Sequence, residues 1–526
     1  MKKIVLFLLA LLLSCAALPG KSTVIRVRNQ YEFSVLQSAV NQALKSGYTD
    51  IRVVFDKGIY FFSEKHFNLS GLNYPGASIV YDGGDAVLVG EGTTVYARRK
   101  KAGRYVATWF NYDRTQAIIN LDKLQDVRPF GTLRKSTGPI QVVNEASRLC
   151  RMKADEKDNS RPSGMAIQFS SWYLGYICPV EKIEKGYIYF RPEKLTKSGR
   201  FYNIEGDRNY GGTDPKYQLI NCPEADVWWS GNKLRFKEKG TYHICRASQA
   251  IVVANCKFKS LEFKNFTFLG NSESAEILSH FYGTEARLSI NHCRFQGIRN
   301  LVLSSLCDHV TLSDNTVEGC YRGFFRVFPQ YKDNRIIGNV FRDNQLYLNN
   351  TITVQIRGKD FLVKDNIFED FTCCAIGIGN HFAEKNEVFS SGVVENNEIY
   401  YTEAYRKEPT HTLMDSGAIY CWTIQDNVII RNNYIHDYVG TKDNRGIFGD
   451  DGTCNTTVTG NRILRIGNSY CIDFRRVEAV EKMSNSSVKK TNVGIKMYDN
   501  TIDGTVRFEP RPGDKTSRKG NNKIVK

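Results

Sequence analysis

The sequence predicts an all-β chain: a right-handed parallel β-helix, or solenoid, with an N-terminal capping helix and an inserted β-rich subdomain. Three observations carry this expectation. An asparagine recurs at coil-like intervals through the C-terminal half, and an apolar residue follows it two positions on. The composition also suits short strands and turns, with 28 Tyr and 30 Phe against 13 Pro. The expected divisions are a signal peptide over 1–22, a cap with the first coils over 23–92, and the inserted subdomain over 93–247. The β-helix repeats follow over 248–510 and a basic C-terminal tail over 511–526, with disorder expected only at the very end.

Met1-Lys2-Lys3 precedes an apolar run over 4–13, the charged and hydrophobic regions of a secretory signal. The run is too short to span a bilayer. Leu12-Leu13-Ser14-Cys15 resembles a lipobox, which implies lipidation of Cys15. Ordinary cleavage after Ala17 or Gly20 is the alternative. The expectation is an exported protein, either a cell-surface or periplasmic lipoprotein tethered to the outer membrane by its lipid, or a secreted one. A length of 526 residues would ordinarily imply three or four domains, but solenoids escape that rule. Net charge is +17, still about +15 without the two signal lysines, which suits an anionic polysaccharide or lipopolysaccharide. A merely solvated basic surface accounts for it equally well, and export argues against nucleic acid as a partner. Removing Cys15 from the 14 cysteines leaves an odd number without metal-ligand spacing. They are expected to pack as small apolar residues in the solenoid interior. No cofactor is required; calcium is compatible with the sequence, but no ligand cluster demands it. A monomer is expected.

In the first segment Leu36, Ala39, Val40, Ala43 and Leu44 recur at helical spacing, and Gly47 stands where a helix would end. Strands over 51–55 and 59–62 flank a turn at Lys57-Gly58, and Asp82-Gly83-Gly84 and Gly90-Glu91-Gly92 read as turns between the first coils. A helix feeding strands in this way resembles the cap that covers the open end of pectate-lyase-like β-helices. Across 93–247 the rhythm is lost, and four of the five tryptophans (Trp109, Trp172, Trp228, Trp229) fall there. These aromatics suit either sugar-stacking platforms or the core of a small β-sandwich. Trp228-Trp229-Ser230-Gly231-Asn232 before Leu234-Arg235-Phe236 predicts a hairpin, and Tyr187-Ile188-Tyr189-Phe190 a strand.

The repeat beyond 247 is a short strand, an asparagine turn, an apolar residue and a second strand. Phe266, Cys293, Asn315, Asn339, Asn366, Asn397, Asn433, Asn461 and Asn500 form one column, with spacings of 22, 24, 27, 31, 36, 28 and 39 from Cys293 onward. Asn tolerates the left-handed backbone of a sharp bend, and stacked amides can hydrogen-bond along the axis. An asparagine ladder is expected, with Val317, Phe341, Phe368, Ile399, Ile435, Ile463 and Ile502 pointing inward.

Period-two alternation places Ile376, Ile419, Ile447 and Ile472 inside. The outward set is then Gly377, Gly379, Tyr420, Trp422, Phe448, Asp450, Asp473 and Arg475, with Gln355 and Arg357 from an earlier coil. A stripe running from glycine through aromatics to carboxylates and arginines reads as a sugar-binding groove. Met414-Asp415-Ser416-Gly417-Ala418-Ile419-Tyr420 and Gly446-Ile447-Phe448-Gly449-Asp450-Asp451-Gly452 are separated by Asn432-Asn433-Tyr434-Ile435-His436-Asp437. This arrangement resembles the right-handed β-helix glycoside hydrolases, the group of the β-xylosidases and the α-fucosidase/xylanase-like enzymes. There a DxGAIY-like and a GIYxDDG-like element lie on neighbouring coils. Phe448 stands here in place of the usual Tyr, and Gly449 in place of a bulkier residue.

Glycosidic cleavage needs one protonated and one ionised carboxyl group. Asp450, Asp451, Asp473 and Asp415 are the candidates. Tyr420, Trp422, Phe448, Arg475, Gln355, Arg357, His411 and His436 are candidate substrate contacts. Asp450 and Asp473 are expected about 8 Å apart at Cα, whereas an extended count puts Asp415 about 20 Å along the groove. Asp450-Asp451-Gly452 also fits an ordinary turn. Three functions remain open from sequence. One is a glycoside hydrolase acting through paired aspartates on a polysaccharide or oligosaccharide. The others are a polysaccharide lyase on uronic-acid chains, for which Arg357 and Arg475 would neutralise the uronate, and a non-catalytic glycan-binding surface protein.

Overall fold

The computed structural model describes residues 22–108, 116–136, 140–144, 146–155, 165–171, 174–192, 216–230, 232–272, 276–280, 283–321, 323–327, 331–344, 352–379, 390–407, 416–422, 425–439, 444–450, 453–467, 470–475 and 493–525. Among them, helix is confined to Gln30–Ser34, Leu36–Lys45 and Glu403–Lys407. Leu36, Val40, Ala43 and Leu44 turn into the core, closing the end of the stack. Gly47 takes φ 84° after the helix. Its N–H donates to Leu44 O and the N–H of Tyr48 to Ala43 O, a Schellman ending that spends the last carbonyls of the helix. The expected strands appear as Asp50–Phe55 and Ile59–Phe62.

The fold is a parallel β-helix, in which each coil lies against the equivalent strands of the next. In one coil Val310–Ser313 enters the asparagine turn, Thr316–Glu318 leaves it and Gly323–Val327 completes the circuit. The first two strand types build a 23-stranded sheet and the third an 11-stranded sheet. A coil therefore carries three strands, one more than the sequence repeat implied. The additional strand spans three residues, too short to show an alternation of its own.

The ladder forms as expected. Successive side-chain amides from Asn315 through Asn339, Asn366, Asn397, Asn433 and Asn461 to Asn500 donate to the next Oδ1 at 2.9–3.0 Å. The backbone N–H of each donates to the same oxygen. The left-handed backbone, however, belongs to the preceding residue: Asp314, Gly338, Asp365, Asn396, Asn432, Gly460 and Asp499 have φ between 54° and 66°. Two adjacent residues thus divide the work, one making the bend and the other the hydrogen bonds. The inward residues two positions after the column are all buried. Asn500 continues to Asn522 at 2.8 Å, and Arg518–Lys519 and Lys523–Ile524 pair in parallel with the coil before. What the sequence presents as a basic tail adds a further coil; its 22-residue spacing from Asn500 equals the shortest in the column.

The chain leaves the solenoid at Gly92 and returns at Arg246, where the N–H groups of Arg246 and Ala247 both donate to Glu91 O. Between them lie antiparallel sheets of four, seven and four strands, with apolar clusters of their own. The expected hairpin pairs Val227–Ser230 with Lys233–Phe236. Trp229 packs against one of those clusters and Trp228 carries Arg235 over its ring, whereas Trp109 and Trp172 lie outside the described residues. Asp126 fastens this part to the solenoid, accepting from Arg299 at 3.0 Å and from Tyr321 Oη at 3.2 Å. All 13 described cysteines are buried and unbridged.

Each asparagine serves two coils. Asn433 Oδ1 accepts from Asn397 twice, and its amide donates to Val394 O, Arg431 O and Asn461 Oδ1. Asn433→Ala and Asn397→Ala should each cost about 1–3 kcal/mol, because buried partners lose their hydrogen bonds. Thermal or denaturant melting measures this, and an unchanged transition in both variants contradicts the ladder's role.

Candidate functional site

The 11-stranded sheet brings the stripe together in the register read from sequence. Ile376 pairs with Ile419, Ile419 with Ile447 and Ile447 with Ile472. On the other face Gln355 pairs with Gly377, Gly377 with Tyr420, Tyr420 with Phe448 and Phe448 with Asp473. One step along, Gly379 pairs with Trp422 and Trp422 with Asp450.

The centre of the stripe is an ionic cluster around Phe448. Asp450 Oδ2 accepts the Tyr420 hydroxyl at 2.9 Å, while its Oδ1 accepts Nε and Nη2 of Arg475 at 2.9 and 2.7 Å. Thr453 N–H and Oγ1–H donate to the main-chain oxygen of Asp450 at 3.1 and 2.7 Å. The carboxylate is therefore left to Tyr420 and Arg475. Asp473 is fully buried, its Oδ2 taking Arg445 Nε and Arg507 Nη2 and its Oδ1 taking Arg507 Nε, each at 2.6 Å. The guanidinium groups of Arg445 and Arg475 lie 4.0 and 5.1 Å from the Phe448 ring centre, where the face of the ring attracts cations.

The aromatic wall is packed inward rather than open. Trp422 is 2% exposed. A Cβ on Gly377 would lie 3.0 Å from the Trp422 ring and 2.7 Å from Ile352, so glycine there lets the indole settle against the strand. Gln355 is buried and accepts from exposed Arg326 at 3.0 Å, and Arg357 follows at the end of that strand. His436 stands on a strand of the other sheet. Its ring nitrogens meet Asp437 at 2.7 Å and Glu398 at 3.2 Å, and Tyr434 stacks on it at 4.1 Å. Arg465 holds the Asp437 carboxyl well below the usual carboxylate range, so this second cluster is saturated with charge partners of its own. Asp451, Asp415 and His411 lie outside the described residues.

Sequence reading missed Arg445 and Arg507. The signal for Arg507 was available: one more coil in the same register sets it opposite Asp473. Arg445 lies two residues before Ile447, where Ala418 and Gly446 drop out of the ladder and strict alternation no longer tells which way a side chain points.

No family model matches the chain, and no curated protein matches it. Among solved structures, one described as a glycoside hydrolase aligns over 94% of this chain and 91% of its own, at 12% identity and a TM-score of 0.60. A complex of XylC with xylose covers 90% of this chain and 81% of its own, at 10% identity and a TM-score of 0.37. The Gp54 tailspike of Acinetobacter baumannii bacteriophage AP22, in complex with a capsular saccharide, covers 92% and 73%, at 10% and 0.16. The first of these shows a shared fold.

Breaking the Asp473 triad should be costly. Asp473→Ala removes the buried ion pairs of Asp473 with both Arg445 and Arg507, a loss of about 3–5 kcal/mol by the measure of other buried ion pairs. Denaturant unfolding reads this directly, and a variant as stable as wild type contradicts the assignment of Asp473 to holding the stripe together.

Proposed function

We propose that the protein is an exported carbohydrate-active enzyme that hydrolyses glycosidic bonds in a polysaccharide or oligosaccharide, using aspartates of the stripe. The observation that carries this reading is the Asp450 carboxylate, buried in the stripe in register with Trp422 and held by Tyr420 and Arg475. The overlap in fold with a glycoside hydrolase supports it.

The roles follow from the partners. Tyr420 and Arg475 hold Asp450 by both oxygens, a fixed geometry that suits a nucleophile or base. The proton donor is assigned to Asp451 or Asp415, the remaining acids of the two motifs. Asp473, clamped by two arginines, acts as a positioning residue that fixes Arg445 beside Phe448. Tyr420 orients Asp450, the half-buried Arg475 and Arg357 line the approach, and the buried Trp422 and Gln355 pack behind it.

A second reading, a lyase, has one observation in its favour: Arg326, Arg357, Arg445, Arg475 and Arg507 all belong to the 11-stranded sheet or its strand ends. β-Elimination needs a cation on the uronate carboxylate and a base for the C5 proton. Three of these arginines already hold Asp450 or Asp473, which favours hydrolysis.

Incubation with mixed polysaccharides separates the readings. New reducing ends without ultraviolet-absorbing unsaturated products are expected; unsaturated products mean a lyase, and no cleavage means a binding protein. Asp450→Asn, and whichever of Asp451→Asn and Asp415→Asn removes the proton donor, should each lower cleavage on the order of a thousandfold, since Asn keeps the size and loses the ionisable group. Full activity in all three, with melting recorded alongside, removes the stripe from the reaction.

The signal segment over 1–22, with its lipobox-like Leu12-Leu13-Ser14-Cys15, supports export and a lipid on Cys15. Cys15→Ser should move the protein from the membrane fraction to the soluble one; retention in the membrane contradicts lipidation there.

A further inference from the structure

At several places along the solenoid, charged side chains on neighbouring coils pair with opposite sign. Lys257 meets Glu285 at 2.7 Å, Arg294 meets Glu318 at 3.1 Å, and Glu395 meets both Arg431 and Lys364. Such pairing is expected, because like charges on facing strand positions repel. The corner carrying Lys259 and Arg287 departs from it.

Where Leu301–Ser305 of the 11-stranded sheet turns toward Val310–Ser313 of the other sheet, a cleft of 570 Å³ opens on the surface. Lys259, Arg287 and His309 reach it from three successive coils; the ladder pairs Ser260 with Arg287 and Leu288 with Val310, which sets Arg287 opposite His309. Lys259 and Arg287 are exposed and have no hydrogen-bond or ion-pair partner among the described residues. The acids around them are occupied. Glu285 holds Lys257, Asp308 accepts the Lys332 N–H at 2.8 Å, and Asp333 takes His309 Nδ1 at 2.8 Å and Arg335 Nε at 2.9 Å. Leu306 and Tyr331, both half-buried, also line the cleft, with buried Phe258 beneath.

We infer that this cleft is a second glycan-contact site, one that takes an acidic saccharide carrying carboxylate or sulfate groups. The inference does not rest on the hydrolysis proposed above. Two unpartnered cations on neighbouring coils, with His309 on the next, suit a ligand that carries several negative charges along a chain, and the apolar lining suits the C–H faces of sugar rings. A single small anion would use only one of these features. The cleft lies five strands from Asn444–Asp450 in the sheet, about 24 Å along the axis, so a long chain held here remains within reach of the stripe.

Affinity electrophoresis of the full-length protein tests this with a polyuronate, a sulfated polysaccharide and a neutral glucan in separate gels. At least one acidic polymer should retard the wild type, and the two acidic gels show whether carboxylate or sulfate is recognised. Retardation should weaken with added salt, and Lys259→Ala with Arg287→Ala should reduce affinity on the order of tenfold. Both residues are exposed, so melting should be unchanged, as should cleavage of any short substrate found in the functional assay. The inference is overturned if neither acidic polymer binds, if the neutral glucan binds as well as they do, or if the double variant binds like wild type.

Discussion

Each coil of this solenoid is tied to the next by an amide that donates to the amide above it, and the position of every outward side chain depends on that bond. A strand slipped by one residue would exchange its two faces. The asparagine column prevents slippage because each Oδ1 receives both a side-chain and a backbone N–H from the same neighbour, a pairing available in only one register. The preceding residue makes this possible by taking the left-handed bend, so that the ladder residue itself can stay in the core. Loops of any length can then be inserted elsewhere in the coil without disturbing the stack, and the column spacings of 22 to 39 residues show that they are.

The consequence at the stripe is a rigid arrangement of charge. Phe448 is flanked by guanidinium groups that are themselves held by Asp450 and Asp473, so the ring, two acids and three arginines form one connected unit spanning neighbouring coils. Buried ion pairs contribute little net stability, because desolvation offsets most of the attraction. What they contribute here is orientation. A carboxylate fixed by Tyr420 and Arg475 needs little rearrangement to meet a developing positive charge on a sugar ring, which is the requirement for glycosidic cleavage.

Much of this was legible from sequence because it repeats. The ladder, the inward residues and the register of the stripe each draw on several coils, so an error in one is corrected by the next. The helix ending at Gly47 was legible for a different reason: its apolar spacing and its glycine agree. Features that occur once were not legible. The strand Thr316–Glu318 is too short for periodicity, Arg445 stands just before a gap in its ladder, and the asparagine column concealed that its left-handed partner is the residue before it. The inward packing of Trp422 depends on Gly377 one coil away, a contact that no local pattern records. The last coil was misread because its strands are only two residues long and its charge resembles a tail.

The claim on which the account turns is that sugar contacts this sheet at Asp450. A crystal structure of the Asp450→Asn protein with a cleavable oligosaccharide addresses it most directly. The account predicts a sugar ring against the outer face of the strands Ser416–Trp422 and Asn444–Asp450, with its glycosidic oxygen within hydrogen-bonding reach of a carboxyl group of Asp451 or Asp415. Sugar bound elsewhere on the molecule, with the stripe closed and its Tyr420 and Arg475 contacts undisturbed, would contradict it.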